Sequence, residues 1–341
     1  MNSEEIAKLA EVSRSTVSRV VNDYDNVPEK TRIKVQRIID KFGYTPNASA
    51  RTLAGKANDI IGLFIADIDI TESSDQWLGA NSPYNAELIA KVIRSCKKRG
   101  YTVLVNTISS IEEIPKMETF FRNRLLYGGI FIGFPYKMKA IADMAEKDFN
   151  ISFVDQFTEE DDLFHKVKTV NNDNITGGYM ATKHLIDLGH EKIAHFTGDN
   201  RLSSIEREKG YKKALIEAGI DVDPSLILKG EYREEIAYKK AKNLLKKKDV
   251  TAIFSGNDIM ALGIIKAAND LGMSIPNDLS IVGFDHLKYT NWTNLGLTTV
   301  EIPIDDVSEK GVDQLFNGKT SDHRLSKPQL IEKKSTIKNK K

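Results

Sequence analysis

The sequence predicts a small all-helical N-terminal unit joined to a two-lobed α/β core. Residues 1–58 read as helices only, whereas from Asp59 onward apolar β-branched runs alternate with amphipathic helices. Such alternation is the mark of parallel sheets with helices on both faces. The chain has 341 residues, two or three domains at ~150 residues each, and the part after residue 58 is too long for one small sheet. Hence two lobes with a cleft between them are expected.

The helical unit is built from four segments. Ser3 is the expected cap of a first helix, with Glu4 and Glu5 in its first turn and Ile6, Ala7, Leu9 and Ala10 as its apolar face. Ser13 caps a second helix running to about Asn22, whose Val17, Val20 and Val21 form one stripe. Pro28 and Glu29 open a third, with Val35, Ile38, Ile39 and Phe42 facing a core and Gly43 as its stop. A fourth, 47–54, begins after Pro46 and is too short to be stable alone in water.

In the core, strands are expected at 60–66, 102–106, 129–132, 192–196, 251–255 and 279–282. Helices are expected at 84–98, 112–124, 174–188, 205–218, 234–247 and 258–270. Gly100, Gly189, Gly219 and Gly272 stand where left-handed C-terminal caps are needed. The basic tail 336–341 is expected to fray, and it carries no leucine heptads for a coiled coil.

Composition narrows the function. Hydrophobic residues at 40% and charged residues at 28% suit a soluble globular protein. With 49 Lys and Arg against 48 Asp and Glu, bulk charge does not announce a nucleic-acid binder, but a local patch would suffice. The single cysteine, Cys96, excludes an internal disulfide framework and a multi-thiolate zinc site, and reads as a small packed thiol. Apolar runs such as Ile60–Ala66 are too short to span a bilayer. The acidic N-terminus shows no signal peptide, so the expected address is the cytoplasm.

Two short helices joined by a tight turn suit a helix-turn-helix. The exposed positions of the second are Arg14, Ser15, Ser18, Arg19 and Asn22. Hydroxyls and amides hydrogen-bond phosphates, and arginine can bond guanine O6 and N7 together. Residues 1–58 carry a local charge of +3. An ordinary solvated helix face would look similar.

Ligands bind α/β sheets at the C-terminal ends of parallel strands. Asp155, Asn257, Asp258 and Asp285 fall there, and Arg207 lies on the helix after Thr197 and Gly198. Acids, an amide and an arginine suit vicinal hydroxyls, and aromatics supply faces for sugar rings. Acids at strand ends are also common helix caps.

Rival readings find little support. Gly-x-Gly-x-x-Gly and phosphate-loop patterns are absent, and the six histidines (His165, His184, His190, His195, His286 and His323) have no metal spacing. No enzyme activity, cofactor or metal is therefore predicted. A secreted sugar-binding protein would need an export signal and would have no use for residues 1–58.

The run from Glu5 to Asn22 (EIAKLAEVSRSTVSRVVN) closely resembles the start of the lactose/galactose-repressor (LacI/GalR) family. Tyr44 to Gly55 (YTPNASARTLAG) resembles that family's hinge helix at the expected distance. The resemblance implies a periplasmic-binding-protein-like core over essentially the whole remainder. It divides the chain into a DNA-binding domain 1–58 with hinge helix 47–54, an effector-binding and dimerisation core 59–335, and the tail. Within the core, the N-lobe is expected at about 59–171 plus 301–325 and the C-lobe at about 172–300 plus 326–335.

By the same resemblance, Arg14, Ser15 and Arg19 occupy base-reading positions, and Thr16, Ser18 and Asn22 a phosphate-contacting face. Ser13 and Asn47 also count among the DNA-facing residues. Leu53 is the minor-groove wedge and Ala50 lies near the partner's hinge helix. A leucine wedge partly unstacks a base step and bends the duplex. The implied partners are a near-palindromic double-stranded operator, a second copy of the chain as a homodimer, and a small-molecule effector, a sugar in most of the family. Nucleobase and phosphorylated effectors also occur there. The implied activity is repression of carbohydrate-utilisation genes.

Asp155, Arg207, Asn257 and Asp285 are the implied effector ligands, Tyr84 lines the cleft, and Tyr232 supplies a stacking aromatic. Asp258 is assigned to capping the next helix. Trp77, in a long loop at 71–80, is read either as a sugar-stacking ring or as cover for a lobe edge. One departure stands out: the family has glycine in the turn where this chain has Glu11, which costs about 1 kcal/mol if that backbone is left-handed.

Overall fold

The computed structural model describes residues 2–21, 24–44, 59–68, 82–247, 250–287 and 296–339. Asn22, Asn47, Ala50, Leu53 and Trp77, and with them the hinge helix and the 71–80 loop, lie outside the described residues. The chain separates into two compact units, Met1–Ile60 with Phe120–Tyr127, and Ile61–Thr119 with Gly128–Lys341.

In the first unit, α1 (Ser3–Ala10), α2 (Arg14–Val21) and α3 (Glu29–Phe42) enclose one apolar cluster of Ile6, Ala7, Ala10, Val17, Val20, Val27 and Val35. Ile6, Ala7 and Ala10 of α1 meet Val17 and Val20 of α2 there as their spacing predicts, but Leu9, also read onto the apolar face of α1, stays 48% exposed. On α3 the buried face is narrower, and Phe42 stays 45% exposed.

The cap of α1 is Asn2, one residue before the expected Ser3. Its side chain accepts from Glu4 N and Glu5 N at 2.9 and 3.0 Å, and the Glu5 carboxylate accepts from Asn2 N at 2.9 Å. This reciprocal box needs an acid three residues after the cap, which Asn2 has in Glu5 and Ser3 lacks. The Ser3 hydroxyl instead accepts from Arg14 Nε at 3.1 Å. Ser13 caps α2 as expected, its hydroxyl accepting from Thr16 N at 3.1 Å.

Glu11 ends α1 with φ 51°, the left-handed conformation that glycine adopts without cost. Its carboxylate accepts from Lys34 Nζ on α3 at 2.7 Å, and that hydrogen bond and the lysine's charge hold its pKa below the usual value. The side chain thus gains a cross-helix partner that glycine would forgo.

The second unit holds two six-stranded sheets. The first runs β2 (Thr102–Ile108), β1 (Ile60–Ala66), β3 (Gly128–Ile132), β4 (Ile151–Val154), β5 (Lys168–Asn172) and β11 (Asp322–Ser326). The second runs β7 (Ile227–Lys229), β6 (Ile193–Thr197), β8 (Ala252–Ser255), β9 (Ser280–Asp285), β10 (Thr298–Glu301) and β12 (Gln329–Ile331). Pairings from β1 through β11 in the first sheet and β7 through β10 in the second are parallel, and β12 adds antiparallel to β10.

Around the sheets lie α4 (Pro83–Lys98), α5 (Ile114–Arg122), α6 (Lys139–Ala145), α7 (Asn174–Asp187), α8 (Leu202–Glu217), α9 (Glu234–Leu245), α10 (Asp258–Asp270) and α11 (Ile304–Gln314). The chain passes between the sheets three times: from β5 into α7, from β10 into α11, and from β11 into β12. Asp173 N donates to Ser326 O at 2.9 Å, tying the first and last of these crossings together. Gly100, Gly189, Gly219 and Gly272 all have positive φ, as their cap positions require.

Helices α7 and α8 approach at glycines. A Cβ on Gly210 would sit 2.1 Å from Ile175 O, and one on Gly178 would sit 2.3 Å from Arg207 O. No side chain fits at either place, so this contact sets how far Arg207 stands from the start of α7.

Two expectations are corrected here. The tail does not fray through its described part: Ile337 N donates to the Ser280 hydroxyl at 3.1 Å and Asn339 N to Leu188 O at 2.7 Å. These backbone groups dock against the start of β9, an interior strand of the second sheet, and just past the end of α7. Asp258 does not cap α10; Asn257 does, accepting from Met260 N at 2.9 Å. Asp258, one residue inside the helix, points back into the protein, where the Thr299 hydroxyl and Leu287 N donate to its two oxygens at 2.7 and 2.8 Å.

Replacing Glu11 by Gly relieves the left-handed strain and loses an exposed ion pair worth little, so the N-terminal unit should gain about 1 kcal/mol. Slower exchange of its helical amides in the full chain is the measure. Burial, then the Asp285 charge, raises the Asp258 pKa to about 8. An unfolded aspartate ionises near 4, so between these values the folded state holds a proton the unfolded state has lost. This group therefore costs nothing below about pH 4 and destabilises progressively as pH rises towards 8. Asp258→Asn should show a smaller fall in Tm between pH 5 and pH 8 than the wild type.

Candidate functional site

A cavity of about 790 Å³, open solvent at its mouth included, lies at the C-terminal ends of both sheets. Tyr84, Asp155, Arg207, Tyr232, Asn257 and Asp285, the six positions singled out from the sequence, all line it. They arrive from separate segments: the start of α4, the ends of β4 and β9, the middle of α8, the loop after β7, and the cap of α10.

On the first sheet's side, Asp155 follows β4 in a left-handed conformation, φ 50°. Its two oxygens accept from Asn172 N at 2.6 Å and Asn172 Nδ2 at 2.7 Å, and the same amide donates to Tyr84 OH at 3.4 Å. Burial raises the Asp155 pKa despite these donors. The Tyr84 hydroxyl is likewise pushed up, by burial first and by the Asp155 charge second.

On the second sheet's side, Arg207 is 6% exposed. Its Nε donates to Asn174 Oδ1 at 3.0 Å, its Nη1 to Gly256 O at 2.5 Å, and Nη1 stands 3.5 Å from Asp285 Oδ1. The guanidinium also lies over the Phe284 ring, 3.7 Å from its centroid. Burial raises the Asp285 pKa to about 6, opposed by the Arg207 and Arg201 charges. At neutral pH the carboxylate and guanidinium therefore face the cavity as an ion pair with unused hydrogen-bonding capacity.

Tyr232 has φ 59°, and its hydroxyl lies 3.2 Å from the Ser203 hydroxyl. A Cβ on Gly198 would fall 2.2 Å from its ring, so that glycine is what lets the aromatic seat. Asn257 spends its Oδ1 on the α10 cap, which leaves its amide nitrogen for a ligand.

Several lining residues escaped sequence reasoning. Arg201 lies 4.7 Å from the Tyr232 centroid and is gripped by Asp199, Nε and Nη2 donating at 2.9 and 2.7 Å. Ser203, Phe134 and Leu287 also line the wall. The GDNR segment at 198–201 carried the one available signal: an acid two residues before an arginine at a strand end. The cavity combines paired charges, amides and an aromatic face, a chemistry for binding a polar ring. Among the described residues no group of histidines, cysteines and acids could hold a metal ion.

In the N-terminal unit, α2 buries Val17 and Val20 and exposes Ser13, Arg14, Ser15, Ser18 and Arg19; Thr16 is half-buried. The Ser13 hydroxyl lies 2.7 Å from that of Ser15 and 2.8 Å from that of Thr16, forming a compact patch at the helix N-terminus. Arg14 Nη1 stands 3.5 Å from the Glu4 carboxylate, an exposed and weak pair. Backbone N–H groups, hydroxyls and Arg14 at the helix start, with Arg19 in its last turn, make a surface suited to phosphate and base edges.

No helix among the described residues is long and apolar enough to cross a membrane. Residues 4–47 match the bacterial regulatory proteins of the lacI family, and residues 182–336 match the periplasmic binding protein-like domain. The HTH-type transcriptional regulator MalR of Clostridium butyricum is 35% identical over 98% of this chain and 99% of its own length. DegA of Bacillus subtilis, also an HTH-type transcriptional regulator, is 34% identical over 89% of this chain and 87% of its own. The HTH-type transcriptional repressor PurR of Erwinia tasmaniensis is 32% identical over 97% and 96%. Among solved structures, a transcriptional regulator CelR–cellobiose complex superposes with a TM-score of 0.72 at 25% identity, covering 98% of this chain and 99% of that one. The lac repressor dimer bound to operator and an anti-inducer shares the fold with a TM-score of 0.82 at 24% identity, covering 97% and 98%. With helix-turn-helix, two-sheet core and full-length relatives in agreement, this chain belongs to the LacI family of transcriptional regulators.

Proposed function

We propose that the protein represses carbohydrate-utilisation genes in the cytoplasm, binding a near-palindromic double-stranded operator as a homodimer whose grip a sugar controls. The observation that carries the sugar reading is the convergence of Tyr84, Asp155, Arg207, Tyr232, Asn257 and Asp285 on one cavity. The CelR structure, whose ligand is cellobiose, supports the same ligand class. In this reading carboxylates and the guanidinium bond ring hydroxyls while Tyr232 stacks on the apolar face of the sugar.

On the DNA side, residues 1–58 form the reading head, with Arg14, Ser15 and Arg19 on bases and Ser13, Thr16, Ser18, Asn22 and Asn47 on the backbone. The hinge helix 47–54 would wedge Leu53 into the minor groove beside Ala50 of each copy. The core 59–335, with lobes at about 59–171 plus 301–325 and 172–300 plus 326–335, holds the effector and the dimer contact. A ligand shifts operator affinity only through its different affinity for the competent and incompetent arrangements.

Fluorescence anisotropy on palindromes near the protein's own gene, against a panel of sugars and nucleobases, tests the reading. Arg19→Ala should cost ~1–3 kcal/mol and relax specificity at one base pair. An equal loss on every sequence would make Arg19 a phosphate anchor. Arg207→Ala should keep operator affinity within a few-fold while the response to the active sugar disappears. Failure of every palindrome at low salt, with any metabolite present, would overturn the proposal.

A further inference from the structure

A second cavity, about 1000 Å³ with its open mouth, shares no lining residue with the first. Its walls come from the loop after β4, the strands β5 and β11, the start of α7, and α8. Two buried acceptors beside it lack adequate donors. Asn172, 2% exposed, keeps its Oδ1 without a hydrogen-bond partner while its Nδ2 serves Asp155 and Tyr84. Glu206, nine-tenths buried, receives only Asn174 Nδ2 at 3.3 Å, and among the described residues no cation stands within ion-pairing distance of it.

The cations that reach this cavity are already engaged. Lys209 pairs with Glu160 at 3.4 Å, and Arg324 with Asp322 and Asp313 at 2.9 and 3.6 Å. Glu159 and Asp173 add further negative charge to the wall. Its apolar part is Phe164, stacked on His323 with centroids 3.7 Å apart, and the exposed Ile175 and Leu325, beside Thr158, Thr169 and Asn171. A buried carboxyl without a cation calls for a charged donor, and the apolar residues beside it call for a short hydrocarbon.

We infer that this cavity is a second ligand site, taking a small aliphatic amine whose ammonium group bonds Glu206 and whose chain lies against Phe164, Ile175 and Leu325. The site stands behind the first one. Asn174 donates to Glu206 and accepts from Arg207 Nε, and Asn172 holds Asp155, so the two cavities share a hydrogen-bonded partition. Burial first, and the Asp155 charge second, raises the Glu206 pKa to about 7.

Isothermal titration calorimetry on the full chain at pH 8 would use 1,4-diaminobutane and butylamine, with 1,4-butanediol as the uncharged match. The amines should bind saturably and the diol should not. Glu206→Gln should weaken the amines at least tenfold with its melting temperature preserved. A crystal structure with 1,4-diaminobutane reads the location independently, should that variant not fold. Absent amine binding, equal binding of the diol, an unchanged affinity in folded Glu206→Gln, or the diamine seated in the first cavity would each overturn the inference.

Discussion

Burying a guanidinium costs several kcal/mol unless every part of it finds a partner, and the second lobe is organised around meeting that demand for Arg207. Its partners come from three places in the chain: Asn174 at the start of α7, Gly256 after β8, and Phe284 and Asp285 at the end of β9. The glycine-lined contact of α7 with α8 fixes the distance at which these groups meet. Arginine suits the place because a planar fork can bond two directions and still present a face to an aromatic ring.

Much of this was legible in the sequence. The alternation of β-branched runs with amphipathic helices gave the parallel sheets, and the family-like segments around Asp155, Arg207, Asn257 and Asp285 gave the ring of polar residues. Besides β5, β10, α6 and α11, what escaped were strands with little periodic signal. Strand β7 has three residues, β12 another three, and β11 (DHRLS) is an edge strand with only one side chain buried. Their place follows from long-range pairing, which local pattern does not encode.

The missed cavity residues share a cause. Arg201 reaches the wall because Asp199 grips it, and Asn172 matters because it holds Asp155. Both act through partners that only the fold brings within reach. The misplaced caps are different. Asn2 and Asn257 each displaced a neighbour one residue later, where a better side-chain geometry won over an equally plausible residue type. Glu11 was readable as a departure, but its contact with Lys34 spans two helices and was not.

The three passages of backbone between the sheets have a mechanical meaning. A single tether would let two bodies tumble freely; three, with Asp173 and Ser326 bonded across a pair of them, leave few directions of easy travel. Twisting about the bundle of connectors bends each a little, while pulling the bodies apart stretches all of them at once. Molecules admitted to the gap are thus met by a jaw with a preset axis of swing, so the ligand selects a position along that swing without having to define its path.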